Sequence, residues 1–252
     1  MMQLKKGITI LMVSILCLGV VAYVVYAMIV ASTPSPDDKC KKLELVIEQN
    51  RHAGFITNEV IENELRKAGI YPKDRLMADI KTSDIETVLA KNEFVEHVEC
   101  YKTANNAINI DICQRTPVIY VLPDNAKGYY VDTYGKVISK ANYPVNLPVA
   151  TGNISQAYAQ KYLSKLGAYI VNNEFWDSQI EQIYVSLNPD GEYVIDLIPR
   201  VGSQVIHLGH VTDFEQKLHR LMVFYEKAIP EVGWNKYRTI DLEYDGQIIC
   251  RK

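Results

Sequence analysis

Cysteine is scarce in this chain: five residues in 252, and no two of them form a CxxC pair. That excludes a thiolate metal knuckle and the cysteine density of a small disulfide scaffold. Cys17 lies in an apolar run, and Cys40, Cys100, Cys113 and Cys250 are spread over the rest. A Cys40–Cys113 bridge is conceivable outside the cytoplasm; buried free thiols are the expected state. Histidine is equally sparse: His52, His97, His207, His210 and His219. Only His207 and His210 are close. In a strand, positions i and i+3 point to opposite faces, so no metal site and no cofactor are expected, only solvated or locally bonded imidazoles. The H-E-x-x-H, G-x-S-x-G and phosphate-loop patterns are missing, which removes common hydrolase and nucleotide chemistries. No internal repeat and no low-complexity tract is present.

Charge is absent from Gly7 to Pro36. Ile8 to Ala31 is apolar apart from Thr9, Ser14 and Gly19. About 20 apolar residues in a helix cross a hydrocarbon core. Residues 8–31 are therefore expected to form a single transmembrane helix behind a cytoplasmic tail, 1–7, and ahead of a linker, 32–41. Lys5 and Lys6 precede the run and no cation follows until Lys39, which puts the N-terminus in the cytoplasm. A cleaved signal peptide is the alternative. It would have a shorter apolar region ending at small residues, whereas Met28, Ile29 and Val30 fill the end here. One crossing with so short a tail leaves no room for a channel or transporter. Beyond Pro36 remain 216 residues with 25 Lys/Arg, the chain's 27 less Lys5 and Lys6, against all 30 Asp/Glu. No basic block invites nucleic acid or anionic lipid.

The rest reads as α+β. Leu43, Leu45 and Ile47 alternate with polar residues in a half-buried strand. Thr57 can cap a helix carrying Val60, Ile61, Leu65 and Ala68 that stops at Gly69. Ser83-x-x-Glu86 has the capping-box form, and Ile85, Val88 and Leu89 follow on one face. Strands Phe94–Tyr101 and Ala107–Cys113 flank an Asn105-Asn106 turn. The order β-α-α-β-β gives one domain over 42–115, with a boundary where Pro117 cannot donate to a ladder. The second region, 116–252, is β-rich with flanking helices. Strands are expected at Val118–Leu122, Gly128–Val131, Lys136–Ile138, Gln182–Leu187, Tyr193–Ile198 and Gln204–Leu208. Helices are expected at Ser155–Val171 and Thr212–Ile229, the latter opened by a second capping box, Thr212 with Glu215. Asp245-Gly246 signals a terminal hairpin of Tyr237–Tyr244 and Gln247–Arg251.

Few residues suggest chemistry. Asp37-Asp38 is explained by solvation, and Asp132 with Gly135 fits a turn. Asp241, Glu243 and Asp245 alternate along one strand face. Paired carboxylates can perform glycoside hydrolysis, but neither a second carboxylate cluster nor an aromatic cleft pattern accompanies them, so an exposed charged face is expected. Tyrosine exceeds phenylalanine, 17 to 5. Tyr129, Tyr130, Tyr143, Tyr184, Tyr193, Tyr237 and Tyr244 lie in or near strands, as core, cross-strand or interface groups.

Several motifs in order resemble the FtsQ/DivIB family of bacterial cell-division proteins. They are Phe55-Ile-Thr-Asn-Glu59, Phe94-Val-Glu-His-Val98 at the end of the second helix, Arg115-Thr-Pro-Val118, Tyr130-Val-Asp-Thr-Tyr-Gly-Lys-Val137, Leu147-Pro-Val-Ala-Thr-Gly152 and Thr239-Ile-Asp-Leu-Glu-Tyr-Asp-Gly246. The resemblance runs from about Leu43 to Cys250. Glu243 stands where the family often has a basic residue, and Ile248-Ile249-Cys250 where it has an aromatic. The resemblance implies a POTRA domain followed by a β domain, in a non-enzymatic protein of the inner membrane at the division septum. It implies FtsB/DivIC-type and FtsL-type bitopic partners. The FtsB-type partner would add a strand beside the last strand, at Tyr244, Gly246, Gln247, Ile248, Ile249 and Cys250. Two alternatives stay open: another POTRA-bearing assembly or secretion factor, which would end in a barrel of many long strands, and a membrane-anchored wall hydrolase.

Overall fold

The computed structural model describes residues 2–32, 38–48, 56–139 and 146–252. Residues 33–37 of the expected linker, with Asp37 among them, and His52, Phe55 and Tyr143 lie outside the described residues. The chain forms two compact units that meet in sequence between Cys113 and Gln114.

The first unit opens with α1, Met2–Ser32, a helix of 31 residues that contains the whole apolar run. Its described side chains, Met12 and those from Ile15 to Ile29, are largely apolar and almost all exposed; Leu16 is 69% exposed. Among the described residues, no helix is long and apolar enough to cross a membrane. Next come β1 (Lys42–Glu48), α2 (Asn58–Lys67), α3 (Thr82–Leu89), β2 (Val95–Lys102) and β3 (Ala107–Gln114). The sheet order is β1-β3-β2, with β1 and β3 parallel. Ile61 and Leu65 of α2 and Ile85 and Leu89 of α3 are buried, as are Ile108, Ile110 and Ile112 of β3, so each amphipathic pattern turns its apolar face inward. Thr57 caps α2, its hydroxyl accepting from Val60 N at 3.4 Å, and Gly69 ends it at φ 71°.

Three local expectations are corrected here. Ser83 lies inside α3; the N-cap is Lys81, which makes no side-chain cap bond. Glu86 instead accepts from Cys100 N at 2.8 Å, a tertiary contact that local spacing could not reveal. The Phe94–Val98 motif opens β2, because α3 has already ended at Leu89. Residues Asp38–Lys41, read from sequence as linker, are bonded into the unit: Met77 N donates to Asp38 O at 2.7 Å and Lys41 N to Asn106 O at 2.8 Å.

The second unit contains β4 (Pro117–Pro123), β5 (Tyr129–Asp132), β6 (Val137–Ile138) and β7 (Val149–Gly152). A helical passage follows: α4 (Gln156–Tyr158), a π-helical turn (Ala159–Leu163), α5 (Ser164–Asn172) and α6 (Glu174–Gln179). Then come β8 (Ile180–Leu187), β9 (Tyr193–Pro199), β10 (Val205–Gly209), α7 (Phe214–Lys227), α8 (Ile229–Val232), β11 (Thr239–Asp241) and β12 (Ile249–Arg251). The nine strands form one sheet in the order β12-β11-β10-β9-β8-β7-β4-β5-β6. β7 pairs in parallel with both β4 and β8, and β10 in parallel with β11; β4–β5, β5–β6, β8–β9, β9–β10 and β11–β12 are antiparallel. Leu163, Leu166 and Ile170 of the helical passage are buried, as are Leu218 and Leu221 of α7. The six strands expected from sequence are present, with ends shifted by a residue or two. β7 and α6 were not expected from sequence. The second capping box is not formed: Asp213 precedes α7 with φ 54° and no side-chain cap bond.

Arg115 and Asp132 clasp the start of this unit. Arg115 Nη1 donates to Asp132 Oδ2 at 2.6 Å, and Asp132 is 1% exposed. Asp132 Oδ1 accepts from Tyr134 N and Lys136 N, so the expected turn forms around this carboxylate. Gly135 completes the turn at φ 79°; a Cβ there would lie 2.4 Å from Gln160 O.

Candidate functional site

β12 is one end of the nine-stranded sheet and pairs with β11 through Thr239↔Arg251, Ile240↔Cys250 and Asp241↔Ile249. Ile248, Ile249 and Cys250 are half-buried; Arg251 and Lys252 are exposed. The expected two-residue Asp-Gly hairpin is corrected: β11 stops at Asp241 and β12 starts at Ile249, so residues 242–248 form a longer connection. Two interactions explain the early stop. Asp241 Oδ1 accepts from Glu243 N at 3.1 Å, turning the chain locally. Arg220 of α7 gathers the connection from outside, donating to Leu242 O at 3.1 Å, Tyr244 O at 3.2 Å and Asp245 Oδ1 at 3.3 Å. The Asp241, Glu243 and Asp245 carboxylates therefore do not share a strand face: Asp241 is buried, while Glu243 and Asp245 sit exposed on the connection.

Of the residues assigned to docking, Ile249 and Cys250 lie in β12, whereas Tyr244, Gly246, Gln247 and Ile248 lie on the connection. Tyr244 is 49% exposed. Burial pushes the Cys250 thiol above its ordinary pKa. The other strand tyrosines divide: Tyr129 and Tyr130 are buried, Tyr193 stacks on Tyr158 at 3.9 Å between centroids, and Tyr184 is exposed.

Behind the connection lies a polar cluster. The register of β10 against β9 shifts between His207 and Gly209, where Gly209 has φ 69°. This bulge corrects the expectation that His207 and His210 face apart, because irregular backbone breaks the period of two. His207 Nε2 lies 3.5 Å from Glu243 Oε2, and His210 Nε2 lies 3.8 Å from Glu243 Oε1. His207 Nδ1 lies 2.6 Å from Asp196 Oδ1, and that hydrogen bond raises the imidazole's pKa most, with Asp241 and Glu243 adding to it. Lys217 reaches in from α7 to donate to Leu208 O and His210 O, and burial lowers its pKa. Sequence reasoning missed Arg220, Lys217 and Asp196. Lys217 and Arg220 are cations beside the apolar stripe of α7, a position that periodicity alone reads as solvent.

The model of the family described as "FtsQ/DivIB, C-terminal related" matches residues 116–251, which take in the whole sheet from β4 to β12. The chain belongs to the FtsQ/DivIB C-terminal-related family. A POTRA-like domain model matches residues 38–113, the first unit without α1. This FtsQ/DivIB-related chain is 22% identical over 197 residues to "Cell division protein FtsQ" of Rhodothermus marinus, covering 75% of the chain and 72% of that protein. It is 24% identical over 197 residues to "Cell division protein FtsQ" of Geotalea daltonii, covering 73% and 68%.

Proposed function

We propose that this protein is a non-enzymatic, membrane-anchored scaffold of bacterial cell division. It holds bitopic proteins of the FtsB/DivIC and FtsL type, so that septal wall synthesis is placed and timed. The observation that carries this reading is the position of β12: a short strand with half-buried apolar residues at the open end of a large sheet. Proteins usually blunt such an edge with charge, proline or a cover. Here the only charge on the strand is Arg251, its last residue, followed by Lys252. A partner strand laid along β12 supplies the cover; backbone pairing gives affinity and alternate side chains give specificity. A division role is supported by the names of both relatives. The non-enzymatic reading is supported by the use of the buried carboxylates, Asp132 by Arg115 and Asp241 by Glu243 N.

Anchorage is supported by α1, about 46 Å long at the usual rise. Its described apolar side chains face outward, and Lys5-Lys6 lie at its start. In this reading the N-terminus is cytoplasmic and both folded units lie beyond the membrane. A reporter active only in the cytoplasm, fused after Lys252, stays silent; a strong signal overturns the orientation.

Ile249→Pro removes a ladder donor from β12 and abolishes co-purification of the FtsB-type partner. Tyr244→Ala, at an exposed site, weakens it while the melting curve is unchanged. Undiminished binding by a folded Ile249→Pro variant would place the docking edge elsewhere.

A further inference from the structure

We propose that His207, Glu243, Asp241 and His210 form a structural zinc site at the root of the docking edge. The ligand atoms of His207, Asp241 and Glu243 lie within 4.8 Å of one another. The His207 Nε2 to Glu243 Oε2 distance is 3.5 Å. Two ligands of a tetrahedral zinc, each about 2.1 Å from the ion, sit about 3.4 Å apart, so this pair needs almost no movement. His210 Nε2 lies 3.8 Å from Glu243 Oε1, outside the set of three whose ligand atoms are mutually close, and would have to move in to supply a fourth donor. Two imidazoles and two carboxylates suit zinc, whereas calcium and magnesium take oxygen donors.

A second observation, independent of the spacing, is the support behind His207. Asp196 Oδ1 lies 2.6 Å from His207 Nδ1 and orients the ring, so that Nε2 is the nitrogen turned toward Glu243. A metal-ligating histidine almost always donates its other ring N–H to a carboxylate, a carbonyl or water, and Asp196 stands where that partner would. His207 and His210 are half-exposed and Glu243 is at the surface, so an ion can enter from solvent. Among the described residues, Lys217, Arg220 and Arg251 are cations near the carboxylates; Arg251 Nη2 lies 3.9 Å from Asp241 Oδ2, Arg220 Nη1 lies 3.3 Å from Asp245 Oδ1, and Glu192 Oε2 lies 3.6 Å from His210 Nε2. An ion there ties β10 to β11 and to the start of the connection that carries Tyr244.

The test is a zinc titration of the purified full-length chain after chelator treatment, with metal content and affinity both measured. One zinc per chain is expected. Glu243→Gln, isosteric and at the surface, and His207→Gln each weaken binding at least about tenfold, and Asp196→Asn weakens it by a similar factor. His97→Gln, at an exposed histidine 3.1 Å from Glu99, leaves it unchanged. Melting curves without zinc confirm that each variant is folded; Glu243→Gln is decisive if His207→Gln is not. No saturable binding overturns the proposal. So does stoichiometric binding that Glu243→Gln leaves intact, since the zinc would then be held elsewhere.

Discussion

Single residues in this protein are often committed to distant partners that local spacing does not reveal. Asp132 is a clear case. Its sequence context, Tyr130-Val-Asp-Thr-Tyr-Gly135, speaks only of a turn, and the turn is there. The structure adds Arg115, 17 positions upstream, as a half-buried counter-charge at 2.6 Å from the buried carboxylate. Removing one member of a buried pair strands the other. Asp132→Asn can keep the two backbone bonds of the turn but not the charge, and is expected to cost about 3 kcal/mol or more. Urea unfolding of the variant measures this, and a loss under about 1 kcal/mol would show that water already serves Arg115. Glu86 follows the same pattern, spent on Cys100 N rather than on a helix cap. Burial pushes the Cys100 thiol up to about 12, so this group stays a protonated, apolar filler at physiological pH.

At the scale of elements, the periodic patterns translate well. Alternation found β1 and β3, and the 3.6-residue stripe found α2 and α7. What stayed hidden was whatever periodicity cannot carry. β7 and α6 are too brief to repeat a pattern. The π-helical turn adds a wide turn inside a run that reads as one helix. The bulge at Gly209 brings together two histidines that a regular strand would separate. The terminal hairpin shows how a strong local signal loses. Asp245-Gly246 favours a tight turn, yet Arg220 fixes two carbonyls and a carboxylate of a wider connection. Arg220→Met keeps the aliphatic stem and removes those donors. It is expected to cost about 1–3 kcal/mol and to make residues 242–248 more sensitive to limited proteolysis. Unchanged cleavage would mean that the connection is held by its own turns.

At the scale of the whole molecule, the two units were legible because each has its own patterning and Pro117 marks the step between them. The start of the first unit was less legible, since Asp38–Lys41 carries no alternation. Its hydrogen bonds to Met77 and Asn106, together with buried Cys40, make it part of the fold. Two fragments follow, one from Asp38 and one from Lys42, both ending at Arg115. We propose that the first melts cooperatively on its own, and that the second melts at lower temperature. Calorimetry decides; if both are disordered, the units are not independent.

The strand order has a kinetic meaning. Among the nine strands, every pair of neighbours is also consecutive along the chain, except β7 beside β4. Most pairings therefore join successive strands, with helical connections spanning β7 to β8 and β10 to β11, and the sheet can grow outward one strand at a time from the β4–β7–β8 centre. In that order of assembly β12 is added after β8 through β11 are in place. Under the docking proposed above, a partner strand would find its template only once β8 through β11 are in place, which would make docking a readout of completed assembly.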